Sequence, residues 1–170
     1  MKKTIYAVVF LALLFSSCAN EFNKVYKSTD NNFKYEYAKE CFAKGKYVRA
    51  STLLQGLVTM QKGSDNAQES LYMLGMSEFN SRDYEGASAT FKKYCQSYPK
   101  GAYTQEARFL IGMSLYNCTP EPRLDQSQTV NAIAAFQEYI DLYPDGKQKK
   151  DAQQRLFELQ DKSCRNTVRG

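Results

Sequence analysis

The sequence predicts an all-α fold in which helical hairpins stack side by side into a short right-handed superhelix. Three observations predict it. Leu74-Gly75-Met76-Ser77 returns as Ile111-Gly112-Met113-Ser114, a step of 37 residues (111 minus 74). Gly86-Ala87-Ser88-Ala89-Thr90-Phe91, followed by Tyr98-Pro99-Lys100-Gly101, returns as Asn131-Ala132-Ile133-Ala134-Ala135-Phe136 followed by Tyr143-Pro144-Asp145-Gly146, a step of 45 (136 minus 91). Both copies carry apolar residues at helical spacing. Repeats of this length mark supersecondary units that bury a continuous core only by stacking.

The spacing within a unit is that of the tetratricopeptide repeat, and residues 68–101 show it best. Leu71, Leu74 and Gly75 sit on a first helix, Tyr84, Ala87 and Phe91 on a second, and Pro99 follows it. Gly75 and Ala87 are small where two helices cross, Leu71, Leu74 and Phe91 fill the space around the crossing, and Pro99 cannot continue a helix. An earlier unit starts near Asn32, with Ala38 at the small position, Tyr47 and Ala50 opening its second helix, and Leu54 and Leu57 in place of aromatics. A third repeats the pattern with eight extra residues (45 minus 37), and a fourth begins near Lys150 with only its first helix. The expected domain is residues 32–163, about three and a half repeats, with residues 164–170 as a C-terminal tail.

The N-terminus reads as an export signal. Lys2 and Lys3 precede an apolar run from Ile5 to Phe15, then Ser16, Ser17 and Cys18. That run is about half the roughly 20 residues a membrane-spanning helix needs, so residues 1–17 are a targeting segment and not part of the fold. Cys18, directly after small residues at the end of the run, resembles the bacterial lipobox cysteine. The resemblance implies a diacylglycerol on its thiol and a mature N-terminus at Cys18. Residues 18–31 are polar with scattered aromatics and read as a lipidated, flexible tether. The mature chain keeps 153 residues (170 minus 17), enough for one domain with a real core. Without Lys2 and Lys3 the formal charge falls from +5 to +3, too mild a bias to point to nucleic acid.

Composition excludes much chemistry. There is no histidine, which removes Ser-His and Cys-His nucleophilic pairs and His-ligated metals, and there is no Gly-rich phosphate loop. Glu36, Glu78, Glu106, Glu138 and Glu158 are scattered and read as solvated helix faces. No catalytic group, metal or cofactor is expected, and the chain reads as a binding protein.

The candidate binding surface is the set of first-helix positions not used inside each hairpin. They read Tyr35, Lys39 and Phe42, then Tyr72, Met76, Phe79 and Asn80, then Phe109, Met113, Tyr116 and Asn117. Aromatics and methionines in register along a concave strip suit an extended or partly helical peptide, because rigid rings offer contact area at low entropic cost. The alternative is that the same rings pack between neighbouring first helices. Cys41 and Cys95 fall on buried helix positions. Cys118 and Cys164 lie 11 and 12 residues after Ala107 and Ala152 (118 minus 107; 164 minus 152), at equivalent ends of two first helices, a spacing that permits a disulfide. The insertion, with Pro120, Pro122, Arg123, Leu124 and Asp125, reads either as a partner-binding loop or as a tolerated surface insertion.

The lipobox cysteine, the Gly45-Lys46-Tyr47 turn, the Tyr98-Pro99-Lys100-Gly101-Ala102-Tyr103 junction and the loop before Asp125-Gln126-Ser127-Gln128-Thr129-Val130-Asn131-Ala132 together resemble the BamD family, tetratricopeptide lipoproteins of the β-barrel assembly machinery. The resemblance runs from about residue 32 to 163. It implies an anchor on the periplasmic face of the cell outer membrane and N-terminal repeats that bind unfolded outer-membrane protein peptides. It also implies C-terminal repeats that dock the barrel subunit through that subunit's periplasmic domains. Members typically carry five repeats, and this chain stops in its fourth. A generic periplasmic tetratricopeptide scaffold that coordinates cell-envelope proteins is the second reading.

Overall fold

The computed structural model describes residues 21–60, 63, 66–119 and 127–168, with side chains as far as residue 164. The export signal, Cys18 and the loop residues Arg123 and Asp125 lie outside the described residues. Among those described, the fold is all-α. A helical stretch at 21–26 leads into α1 (Asn31–Ala43), α2 (Tyr47–Met60), α3 (Ala67–Asn80), α4 (Tyr84–Ser97), α5 (Thr104–Asn117), α6 (Ser127–Leu142) and α7 (Lys149–Val168). Each helix packs on the next, and the first helices also touch along the stack, α1 on α3 and α5 on α7. The pairs α1–α2, α3–α4 and α5–α6 are tetratricopeptide-like hairpins, and α7 is the first helix of a further one.

Two ends of the packed region differ from the sequence reading. Residues 21–26 are helical, and Val25 is only 1 % exposed, so the packed region begins ahead of residue 32. Phe22, Val25 and Tyr26 follow an i, i+3, i+4 spacing, a single helical turn too short to register as a period. At the other end α7 runs on to Val168, beyond the boundary expected at residue 163.

Local chemistry sets where each helix starts and reverses. The Asp30 carboxylate accepts the Phe33 N–H at 3.0 Å and caps α1. α1 ends when the Lys46 N–H reaches back to the Cys41 carbonyl at 2.8 Å, a closure that puts Gly45 at φ +70°. The same closure recurs 37 residues on, where the Asp83 N–H bonds the Glu78 carbonyl and Arg82 takes φ +68°. A side chain in that region costs about 1 kcal/mol, yet the reversal is kept because Asp83 then caps α4 through the Gly86 N–H.

Inside each hairpin one contact sets the helix separation. A β-carbon on Gly75 would lie 2.7 Å from Phe91 Cε1, and one on Gly112 would lie 2.7 Å from Phe136 Cδ1. Phe91 and Phe136 are fully buried, each contributing about 1.5–3 kcal/mol of burial. The first hairpin solves the same crossing with the pair Ala38 and Leu54. In α7 the equivalent position, 45 residues after Gly112, is Phe157, which is 70 % exposed.

The connections between hairpins are built around a second buried aromatic. Tyr94 lies three residues after Phe91, and its hydroxyl accepts the Gln68 side-chain amide at 2.6 Å and the Tyr103 N–H at 3.2 Å. Tyr139, three residues after Phe136, donates to Gln148 Oε1 at 2.9 Å and accepts from Gln105 Nε2 at 3.3 Å. Each hydroxyl thus ties a second helix to its own hairpin and to the Tyr-Pro junction that follows. The core forms two clusters, one from 21–26, α1, α2 and the inner face of α3, the other from α3 onward, with Val58 packed against both.

Replacing Gly75 or Gly112 with alanine forces Phe91 or Phe136 to move, and each variant is expected to lose about 1–3 kcal/mol. Gly56, on the exposed side of α2, has open space around it, and alanine there should add about 0.5–1 kcal/mol. Thermal unfolding followed by helix circular dichroism checks this as opposite shifts of the midpoint, about 2–4 °C per kcal/mol for a chain of this size. Equal shifts in the three variants would contradict the close crossing.

Candidate functional site

The first-helix strip is a set of half-buried rings in a regular relation to the hairpin that follows. Tyr35 is the most enclosed and donates to Glu69 Oε2 at 2.7 Å. Tyr72, 37 residues on, is hydrogen-bonded in the same sense to Glu106. Its ring stacks on Tyr103 at 4.2 Å, with the planes 10° apart, and meets Tyr94 edge-on. Phe109 keeps the ring without the hydroxyl and packs on Phe136 and Tyr139.

Lower on the same helices lies a second row. Phe42 meets Tyr47 edge-on at 5.5 Å and Phe79 meets Tyr84 edge-on at 5.4 Å. Tyr116 donates to Glu158 Oε2 at 2.8 Å while the Arg155 guanidinium sits 5.0 Å over its ring. Met76 and Met113 are half-buried between the rows. Lys39 pairs with Glu36 at 3.4 Å and lies 5.2 Å over the Tyr35 ring. Asn80 is exposed and donates to the Met76 carbonyl. Apart from the enclosed Tyr35, the rings of both rows are therefore half-buried, committed in part to neighbouring helices.

Electrostatics keep the tyrosines as donors. Burial first, and then the facing carboxylate, push the Tyr35 and Tyr72 hydroxyls well above the ordinary phenol range. For Tyr116 the hydrogen bond to Glu158 is the larger cause. In return, Tyr116, Arg155 and Gln154 hold the Glu158 carboxyl below its usual value. Glu106 and Glu158, read from the sequence as solvated, are thus acceptors between repeats. Glu78 departs further from that reading: it is 5 % exposed, hydrogen-bonded to Thr90 and Gln55, and raised by burial. Tyr94, Tyr139 and Glu69 went unread as well. Two spacings would have found them: Phe-x-x-Tyr recurs at the 45-residue step, and tyrosine to glutamate is 34 residues for Tyr35 (69 minus 35) and for Tyr72 (106 minus 72), becoming 42 for Tyr116 (158 minus 116) with the eight-residue insertion.

The cysteines fall into two pairs, as the sequence spacing has them. Cys41 and Cys95 are buried thiols raised by that burial. Cys118 and Cys164 are both free. The Cys118 thiol feels the carboxylates of Glu85 and Asp83, so it faces the preceding hairpin, whereas Cys164 is exposed on α7. A different face of α5 floors a groove of about 530 Å³ between α4 and α6, with Ile111 and Leu115 beneath and the Arg108–Glu138 ion pair across it. Among the described residues no group of three His, Cys, Asp or Glu side chains is placed to hold a metal, and no helix is long and apolar enough to cross a membrane.

Comparison with known proteins adds two findings. A family model described as YfiO, outer membrane lipoprotein, matches residues 27–168. The Caulobacter vibrioides protein described as outer membrane protein assembly factor BamD is 21% identical over 158 residues, covering 91% of this chain and 52% of the relative. The chain thus spans about half the length of that relative.

The Glu158 contacts give a pH signature. A carboxyl held below its unfolded value contributes stability in full above that value, about 4.3, and loses it as pH falls through the folded one. Glu158→Gln should lower the stability at pH 7, by less than about 1 kcal/mol for so open a site. The gap from the parent should close between about pH 5 and 3. Melting curves across that range check it, and a gap independent of pH would contradict the assignment.

Proposed function

This chain belongs to the YfiO family of outer membrane lipoproteins, and on that premise we propose that it is a non-enzymatic subunit that helps outer-membrane proteins fold and insert. Lipid on Cys18 holds it to the periplasmic face of the outer membrane. Segments of unfolded outer-membrane proteins lie along the first-helix strip of Tyr35, Lys39, Phe42, Tyr72, Met76, Phe79, Asn80, Phe109, Met113 and Tyr116. The observation that carries this reading is the register of half-buried rings on three successive first helices, with methionines between them on the second and third. Such a surface binds many extended sequences by apolar contact without demanding one of them. Phe157, turned out of α7, and the loop with Arg123 and Asp125 supply the surface for the periplasmic domains of the barrel-assembly subunit. Of the strip, Tyr35 serves mainly to hold α1 against α3, since its ring is enclosed and its hydroxyl is spent on Glu69.

A photo-crosslinking residue at Asn80, exposed beside Met76 and Phe79, tests the strip in envelopes of the native host. Crosslinks to unfolded outer-membrane proteins, with co-purification of a barrel subunit bearing periplasmic repeats, are the expected result. Recovery of cell-wall or division proteins instead would overturn this reading in favour of a general envelope scaffold.

A further inference from the structure

The start of the packed chain fixes which edge of the stack lies nearest the lipid. The Phe22 ring sits 5.4 Å beneath the Arg49 guanidinium, at the first turn of α2. Glu21 is close enough to Lys44 and Tyr37 to act on both electrostatically. Residue 21 therefore stands at the α1–α2 turn. The far end of that hairpin is marked by Tyr26, Asn31, Lys34 and Met60, which share a small surface cleft. Three residue steps separate Cys18 from Glu21, a reach of about 10 Å even when extended.

That turn has the chemistry of a membrane-contact surface. Lys44 and Lys46 are exposed, Arg49 is half-buried, Lys24 lies on the leading helical turn, and Val48 is 67 % exposed among them. The opposing charges are Glu21 and Glu40, the latter paired with Lys44. We propose that the α1–α2 turn, through Lys44, Lys46 and Arg49 with Val48 between them, rests on anionic lipid headgroups of the membrane that holds the chain. The proposal builds on the lipid-anchor reading and adds an orientation to it. Successive helices run antiparallel, so the hairpin turns lie along one edge of the stack, and Cys118 at the end of α5 lies near Asp83 and Glu85 at the start of α4. The edge where α5 ends and α6 begins is thus the membrane-side edge, and the Tyr-Pro junctions lie on the edge away from it.

Flotation with vesicles tests this using residues 18–170 bearing Cys18→Ser, since among the described residues every buried hydrophobic lies between Val25 and Leu159. The chain should float with vesicles of phosphatidylglycerol and phosphatidylethanolamine and stay below with phosphatidylcholine alone, since surface charge attracts basic segments. Lys44→Glu with Lys46→Glu should cut the floated fraction at least fivefold. Lys147→Glu with Lys150→Glu, by the last Tyr-Pro junction, should leave it unchanged. Failure to float with anionic vesicles, equal recovery with both vesicle types, or equal loss in both double variants would overturn the proposal. The anchor is tested separately, by the intact mass of the native protein extracted from membranes. An unmodified Cys18 would sink the anchor reading whatever the vesicles show.

Discussion

The close passage of two helices at Gly75 and again at Gly112 is the constraint on which the rest of the stack depends. With no β-carbon in the way, Phe91 and Phe136 sit against bare helix backbone, and their full burial joins each hairpin into a unit. A native core is packed nearly as tightly as a molecular crystal, so an extra methyl group there cannot be absorbed without moving the ring or the helix. Because hairpin geometry sets where the next first helix lands, that separation propagates along the array. In the first hairpin Ala38 and Leu54 show the same rule with a methyl group gained on one side and a ring lost on the other.

A second layer of contacts ties hairpin to hairpin, and it is polar where the first is apolar. Tyr94 and Tyr139 carry their hydroxyls to the inter-hairpin junctions, while Tyr35, Tyr72 and Tyr116 reach a glutamate of the following first helix. A buried hydroxyl without a partner is costly, so each such tyrosine also specifies the register in which its neighbours stack. The second set lies on the face that carries the candidate strip. Tyr72 and Tyr116 are half-buried there, with one side of each ring packed, whereas Tyr35 is enclosed and serves cohesion alone.

The proposed binding of an extended segment would draw on this arrangement. Rings already pinned by a hydrogen bond lose little freedom when a segment lies across them, so binding costs less ordering than it would on a flexible surface. The methionines between the rows have the opposite character and adjust to different side chains. A strip that combines pinned rings with adaptable methionines suits many unfolded sequences.

The sequence by itself determined the helices, their pairing and the small-residue crossings, because periodicity, a 37-residue step and Gly-Phe offsets are local or strictly repeated. It also marked the strip, since Tyr35, Tyr72 and Phe109 keep one register. What only the tertiary structure decided was the partner of each side chain. Glu78 is buried while Glu36 is exposed, although nothing in their immediate neighbours separates them; the difference is that α2 and α4 close over one and solvent meets the other. Cys118 and Cys164 stand 11 and 12 residues after their alanines, an offset of one residue that turns them about 100° apart around the helix axis. Cys118 lies near Asp83 and Glu85 of the preceding hairpin, and Cys164 is exposed on α7. The helical turn at 21–26 exists because Val25 finds the first hairpin to pack on, a contact its own six residues cannot announce. Contacts between residues distant in sequence depend on how successive hairpins are set against each other, and that geometry is a property of the assembled stack.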